Sequence, residues 1–437
     1  MVEGKARVVG PDRSQLLWDL VDVDGLVPAD HRARMVWLFV AGVELGPLYA
    51  LIRSRDGKAG RPAADPAVLL ALWLYATLEG VGSARELARL CERDVAYRWL
   101  CGGVPVNYHG LADFRIDHGD FLDQVLSESV AAMLAEGLFD LDEVAIDGTK
   151  VKAFAGKGSF GGEGRLARFE QQAAERVERL RRELEADPGA ASRRRQAAQD
   201  RAARDIAARA DRARAALARL QAEKAERKKT HAKQEKDKSA PKVSLTDPEA
   251  RRMRFADGGI NAAYNMQIAA TGDGVVLTVM ATDRRNDTGL AVPMVQDIVR
   301  RYGCAPRRVL VDTRYATAKD IVSLASHPGD GMGGGIEVYA PPPEERMDVK
   351  PATLRRRAAA RKREPQALKD WCSRMQSEAG QAIYRRRKRI ELVNAQFKNR
   401  GFGRLNLRGL VKARTVALWH AIAHNILIAN RLRLIPA

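Results

Sequence analysis

Three carboxylates in the sequence stand where they could do chemistry. Asp147 and Asp312 each end a short apolar run that has the character of a buried strand. A carboxylate beside a hydrophobic core is costly unless a cation, a base or a cluster of N–H groups accompanies it. Glu391 is the single acidic residue among eight basic ones between positions 385 and 404. Taken one at a time, the two aspartates are also typical of turns or helix caps.

If the three acids meet, their chemistry is that of a metal centre. Oxygen ligands favour Mg²⁺ or Mn²⁺ over metals that prefer sulfur. Two such ions, about 3.5–4 Å apart, can activate a nucleophilic oxygen and stabilise the leaving oxygen of a phosphodiester. Ligands of open α/β sheets gather at the ends of strands. Asp147 is expected in or just after its strand, and Asp312 at the end of another. The pattern therefore predicts a centre that cleaves or joins phosphodiesters.

The segment around Glu391 adds groups that could hold phosphates. Tyr384, Arg387, Glu391 and Lys398 are 3, 4 and 7 residues apart. This spacing predicts that they share one face of a helix. The alternative is that Glu391 only balances Arg387 one turn earlier, an ion pair worth a few tenths of a kcal/mol.

Charge and composition narrow the class of protein. The chain has 437 residues, is 46% hydrophobic and carries a net charge of +19. Residues 350–437 hold 22 basic and four acidic residues. Such a localised positive region favours a polyanion as partner, most simply nucleic acid, over a merely solvated basic surface. The four cysteines form no CxxC pair, which disfavours a disulfide framework and a zinc ribbon and favours the cytoplasm. The longest apolar run has about ten residues, half of what a membrane span needs.

The elements that position these residues are predicted to form an α/β protein. Residues 1–135 have helical character, with one helix starting at Asp65-Pro66 and a capping box at Ser83–Glu86. These short helices could form a helix-turn-helix or a packing and dimerisation domain.

The order of elements after residue 135 is strand, helical insertion, two strands, and then alternating helices and strands. Within the insertion, 161–244, apolar residues recur in steps of three and four, the spacing of a helical seam. Asp187-Pro188-Gly189 interrupts this spacing, so we expect a helical hairpin outside the sheet. The alternative is a solvated charged helix with no specific role.

These motifs resemble bacterial insertion-sequence transposases of the DDE type. The signature of that family, Y-x2-R-x3-E-x6-K, is present without a gap as Tyr384, Arg387, Glu391 and Lys398. Residues 146–149 resemble the segment that carries the first acid of the family, and residues 311–315 the segment that carries the second. Residues 60–125 are similar to the N-terminal domain of these transposases, and the similarity covers most of residues 60–437.

The sequence departs from the family after the second acid. A small residue and Gly usually stand between that Asp and the following Tyr, whereas this chain has Thr313-Arg314. Arg314 could pair with Asp312, contact DNA or mark an inactive copy. Asp320 is a weaker candidate for the second acid because it falls within the next predicted helix.

The fold implied by the resemblance is an RNase H-like mixed sheet flanked by helices. It would occupy residues 136–437, interrupted by the helical hairpin at 161–244. The all-helical domain at 1–135 would bind DNA ends or dimerise.

The activity implied by the resemblance is metal-dependent DNA transposition. Water would cleave the phosphodiester at the end of an insertion sequence, and the freed 3′-OH would attack target DNA. The resemblance assigns two Mg²⁺ or Mn²⁺ ions to Asp147, Asp312 and Glu391. Contacts with DNA are expected from four side chains: Tyr384, Arg387, Lys398 and Arg314.

The partners implied are double-stranded DNA, as terminal inverted repeats and as target, and a second copy of the chain in a homodimer. We expect a cytoplasmic, nucleoid-associated bacterial protein with no membrane partner. Two alternatives stay open. One is an inactive or repurposed transposase that only binds DNA, and the other is a nuclease of the same fold that acts on RNA or branched DNA.

Overall fold

The structure is a computed structural model in which six stretches of the chain are described: residues 22–54, 62–186, 193–230, 240–327, 335–342 and 363–434. Within them the protein is mixed α/β, with helices on the N-terminal side of a six-stranded mixed sheet. No helix in these stretches is long and apolar enough to cross a membrane.

Seven helices precede the sheet in the described stretches: α1 (Arg32–Ala41), α2 (Gly46–Leu51), α3 (Pro66–Leu78), α4 (Ala84–Arg93), α5 (Val95–Cys101), α6 (Tyr108–Asp117) and α7 (Gly119–Ala135). Their starts follow the local sequence. The side chain of Asp65 accepts a hydrogen bond from Ala67 N at 2.8 Å and begins α3. Ser83 Oγ accepts one from Glu86 N at 3.4 Å and begins α4. Both predicted helix starts are confirmed.

Eight strands follow in the described residues: β1 (Glu143–Lys152), β2 (Phe160–Gly161), β3 (Val243–Ser244), β4 (Arg251–Arg254), β5 (Ile260–Thr271), β6 (Val276–Thr282), β7 (Arg308–Leu310) and β8 (Glu337–Tyr339). β5 lies antiparallel to β1, β4 and β6. On the other side of β1, β7 pairs parallel with β1, and β8 pairs parallel with β7. β2 and β3 form a separate two-stranded sheet.

The register between β1 and β7 leaves the carboxylate of Asp147 accessible. β7 pairs with β1 only from Glu143 to Ala145, so Asp147 lies beyond the end of β7. The strand itself continues to Lys152 against β5. Asp147 therefore lies within its strand, one of the two positions expected for it, because the antiparallel partner extends β1. Asp312 lies two residues after the end of β7. It is therefore next to the part of β1 that β7 no longer pairs with.

Two long helices, α8 (Glu163–Ala186) and α9 (Arg193–Thr230), lie between β2 and β3. They pack on each other and share a small hydrophobic cluster that is separate from the main core, formed by Leu166, Ala213, Leu217 and Val243. The helical character predicted for these ranges is confirmed, while the predicted break at 187–189 lies outside the described residues. Arg219 on α9 pairs with Asp283, which follows β6.

Six further helices complete the described fold: α10 (Ala291–Tyr302), α11 (Ala318–Ala325), α12 (Gln366–Gln376), α13 (Glu378–Arg385), α14 (Lys388–Phe397) and α15 (Leu410–Arg433). α15 runs between the N-terminal helices and the sheet. Trp419 Nε1 donates to Arg115 O at 2.9 Å, and the amide of Asn425 hydrogen-bonds both backbone groups of Val276 at 2.8 Å. His420 and His424 are buried in this helix.

The predicted single helix from Tyr384 to Lys398 is not observed. Arg386 N and Arg387 N bond to the carbonyl three residues earlier, so the chain tightens between α13 and α14. A second irregular turn covers Lys398–Phe402, where Gly401 has a φ of +86°. The tightened turn separates Tyr384 from the other signature residues, whereas Arg387 and Glu391 lie one helical turn apart and are hydrogen-bonded to each other. Lys398 follows at the C-terminal end of α14.

Candidate active site

Asp147, the first of the three predicted acids, is largely buried. Its side chain is 19% exposed, its Oδ1 accepts from Arg387 Nη2 at 3.0 Å, and its Oδ2 accepts from Asn394 Nδ2 at 2.9 Å. Burial raises the pKa of Asp147, since a low-dielectric environment disfavours the charged form. Arg387, the N–H of Gly148 and Asn394 oppose that shift.

Arg387 joins the first acid to the third. While Nη2 binds Asp147, Nη1 donates to Glu391 Oε1 at 2.9 Å. The guanidinium side chain is 13% exposed, whereas Glu391 is 57% exposed. Burial works to lower the pKa of Arg387, but the charges of Asp147, Asp312 and Glu391 contribute to a net rise. Arg387 thus contacts two of the predicted acids, Asp147 and Glu391, and is reached by the charge of the third, Asp312.

Asp312 occupies the turn after β7. Its Oδ1 accepts from Thr313 N at 2.7 Å, and its backbone carbonyl accepts from Tyr315 N at 2.9 Å. Arg314 is exposed and forms no ion pair with Asp312, although both lie in described stretches. The pairing considered for Arg314 is therefore not observed.

Asp320, the weaker candidate for the second acid, has a structural role. Thr317 Oγ1 donates to Asp320 Oδ2 at 2.6 Å and accepts from Asp320 N at 3.1 Å. This reciprocal pair caps the start of α11.

Tyr384 lies near the acids, half-buried at the end of α13. Burial raises its pKa, and the charges of Asp312 and Glu391 add to that rise while Arg387 opposes it. Lys398 is exposed at the start of the irregular turn after α14. Of the four predicted DNA contacts, Tyr384 and Arg387 lie at the acids and Lys398 and Arg314 lie on the surface.

The oxygen-only donor set suits a hard divalent cation. In the described stretches, however, no three Asp, Glu, His or Cys side chains lie close enough together to hold a metal ion. Arg387 explains part of this spacing because its guanidinium separates Asp147 from Glu391. Asn394 offers one more oxygen: its buried Oδ1 has no hydrogen-bond partner, while its Nδ2 binds Asp147.

The sequence analysis missed three polar residues of this region. They are Asn394, Gln267 and Asp287, the last of which accepts from Gln267 Nε2 at 2.9 Å. A signal for Gln267 is present, since a polar residue inside the buried run of β5 needs a buried partner. Asp287 gives no such signal because it lies in a polar loop.

Two family models match the chain. Residues 21–117 match a transposase domain, DUF772, and residues 258–426 match the transposase DDE domain. The second match contains Asp312 and Glu391 and begins after Asp147. The chain therefore belongs to the insertion-sequence transposases of the DDE type, as the signature predicts. This family implies DNA as its partner. No curated protein and no solved structure gives a significant match.

Proposed function

We propose that this transposase hydrolyses the phosphodiester at the ends of an insertion sequence and transfers the freed 3′-OH into target DNA. The observation that supports the proposal is the position of Arg387, whose guanidinium hydrogen-bonds Asp147 and Glu391 and is also reached by the charge of Asp312. Asp147 comes from the centre of the sheet, Asp312 from the turn after β7 and Glu391 from α14. One cation that interacts with acids from three distant segments supports a shared role for these acids.

The proposal includes an RNase H-like catalytic domain at 136–437 with the insertion at 161–244, and an N-terminal domain at 1–135 that binds DNA ends or dimerises. Support comes from the sheet, in which an antiparallel group of strands continues through β1 into the parallel strands β7 and β8. The first acid lies on the central strand of that sheet. The separate hydrophobic cluster under α8 and α9 supports the insertion.

Asp147, Asp312 and Glu391 would hold two Mg²⁺ or Mn²⁺ ions. When bound, the ions supply activation of the attacking oxygen and stabilisation of the leaving oxygen. Asn394 fixes the carboxylate of Asp147 through the bond to Oδ2, and β1 anchors its backbone. Arg387 hydrogen-bonds both Asp147 and Glu391 and lies between them. It must therefore break its bond to at least one of these acids before both can bind the same ion.

DNA offers Arg387 an alternative partner. The guanidinium fork matches a phosphate as well as a carboxylate, so a phosphate of the bound duplex would draw Arg387 away from the acids. Lys398 and Arg314 would contact phosphates from the surface, and Tyr384 would position the backbone beside the acids. We expect a homodimer on DNA, since transposition brings two ends together, and association with the nucleoid.

The direct test is cleavage of a labelled duplex that carries the inverted repeat flanking the gene, in Mg²⁺ or Mn²⁺. The wild type should nick at the end of the repeat, and Asp147→Asn should lose this activity. Asp273→Asn is the matched control, because Asp273 is an exposed aspartate in the turn after β5. Equal cleavage by Asp147→Asn would contradict the mechanism. Cleavage that ignores the repeat would favour a different nuclease of the same fold.

A second function is favoured by one observation. Arg314 is exposed where the family usually has Gly, directly after the second acid. The alternative is a catalytically inactive or repurposed transposase that acts as a DNA-binding protein. It predicts salt-sensitive DNA binding without cleavage by the wild type in either metal.

A further inference from the structure

A chain of buried polar side chains runs beneath the proposed centre. Tyr315 OH donates to Gln267 Oε1, and Gln267 Nε2 donates to Asp287 Oδ1 at 2.9 Å. Asn265 Nδ2 donates to the same oxygen at 2.7 Å. Tyr315 and Gln267 are both 0% exposed, so water does not replace these bonds when one is lost.

One end of this chain touches the strand of the first acid. Gln267 lies directly opposite Gly148, the residue after Asp147, in the register of β1 and β5. A Cβ at Gly148 would lie 2.6 Å from Gln267 Nε2 and closer still to Asp287 Oδ1. Gly148 is thus the residue that lets Asp287 approach the strand.

The other end of the chain holds the turn of the second acid. Tyr315 N donates to the carbonyl of Asp312 at 2.9 Å and closes that turn. The hydroxyl of the same Tyr315 then ties the turn to β5 through Gln267. The hydrogen bonds therefore connect the turn of Asp312 to β5, the antiparallel partner of the strand that carries Asp147.

Asp287 is suited to terminate this chain. Its hydrogen-bond donors are neutral amides, and it forms no ion pair within the part of the chain that the structure describes. Its Oδ1 accepts from two amide groups at once, which orients the amide of Gln267. Because Nε2 of Gln267 donates to Asp287, Oε1 of the same amide is left to accept from the hydroxyl of Tyr315.

We propose that Asp287 is a positioning residue that sets the separation of Asp147 and Asp312 for divalent-ion binding, acting through Gln267 and Tyr315. This inference rests on the proposed function, because it assigns the ion to the same acids. It adds a fourth acidic residue to the site, one that orients the acids without holding the ion.

The test is calorimetric titration of the full chain with Mn²⁺ in the absence of DNA. Asp287→Ala and Tyr315→Phe should each weaken Mn²⁺ binding by about 10- to 100-fold, the range typical of residues that orient metal ligands. Asp287→Asn keeps an oxygen acceptor and should restore binding to within about threefold of the wild type. Tyr302→Phe is the matched control, since this half-buried tyrosine donates to Leu277 O at 2.7 Å, away from the acids.

The outcomes separate the two proposals. If the wild type binds no Mn²⁺ either alone or with the repeat-end duplex bound, the metal chemistry of the proposed function fails first. If the wild type binds but Asp287→Ala and Tyr315→Phe bind as Tyr302→Phe does, the positioning role fails while the function stands. If Asp287→Asn is as weak as Asp287→Ala, the charge of Asp287 acts directly and the hydrogen-bonded route is overturned. Melting temperatures measured in parallel identify any variant that has lost its fold.

Discussion

The Nη2 atom of Arg387 lies 3.0 Å from Oδ1 of Asp147, although the two residues are 240 positions apart in sequence. The same guanidinium also binds Glu391. The guanidinium of Arg387 therefore occupies the carboxylates that are proposed to bind metal ions. Binding of DNA and binding of metal are then coupled, because a phosphate that attracts Arg387 frees the carboxylates.

Replacement of Arg387 by Gln should tighten Mn²⁺ binding to the free chain by about fivefold or more, a typical coupling between two sites. The ion no longer competes with the guanidinium for Asp147 and Glu391. Cleavage should fall in the same variant, since the fork that would bind phosphate is lost. Calorimetry without DNA measures the first effect. The control is Arg385→Gln, because Arg385 is an exposed neighbour on α13. Unchanged or weaker Mn²⁺ binding by Arg387→Gln would refute the idea that Arg387 competes with the ion for the acids.

The second acid can be assigned by a pair of substitutions. Asp312→Asn should abolish nicking of the repeat-end duplex, because the proposed centre loses a ligand. Asp320→Asn should retain most of it, since Asp320 caps α11 with Thr317. Asp320→Asn should instead lower the free energy of unfolding, by about 1 kcal/mol or less. The reverse pattern of activities would move the second acid to Asp320.

Lys398 should act through charge alone. It is exposed, so Lys398→Gln should weaken DNA binding about equally for all sequences. The slope of log affinity against log salt should become shallower by about one, as expected for one lost phosphate contact. Binding titrations at several salt concentrations measure this slope. Lys369→Gln, an exposed lysine on α12, should leave it unchanged if the contact belongs to Lys398.

Acid should destabilise the fold through His420. Burial, with a smaller contribution from the charges of Arg115 and Arg400, lowers the pKa of His420 from 6.5 to about 3. Below about pH 6.5, His420 therefore binds a proton in the unfolded chain but stays neutral in the folded chain until the pH approaches 3. The stabilisation is present above pH 6.5 and is lost as the pH falls towards 3.

Between pH 6.5 and 4, this single group should cost about 3 kcal/mol of unfolding free energy. His420→Phe removes the titration and keeps a ring against Phe397 and Phe402. Urea unfolding of both proteins at pH 7 and pH 4 measures the difference. An identical acid loss in the variant would assign the effect to other groups.

Local patterns in the sequence predict much of this fold. The helix starts at Asp65 and Ser83 depend on residues two or three positions away, so their chemistry is visible in the sequence. The strands before Asp147 and Asp312 are visible as apolar runs. The family is visible from the spacing of the signature residues, and the two domain matches confirm it.

The parts that could not be predicted depend on contacts between distant segments. β1 extends past Asp147 because β5 pairs with it, and no residue of β1 itself encodes that length. The tightened turn at Arg387 contains no Gly or Pro, so the sequence indicates a continuous helix there. Asp287 enters the site only because a polar loop returns over Gly148.

The position of α15 has a consequence for biosynthesis. This helix lies between α3, α7 and β6, in the middle of a hydrophobic core that includes both the first helices and the sheet. The ribosome makes α15 long after the segments that surround it. The faces of the early helices that α15 covers in the folded protein therefore cannot pack against it until this helix is made. Folding of the core is thus completed late in translation, and a chain truncated before α15 lacks its centre.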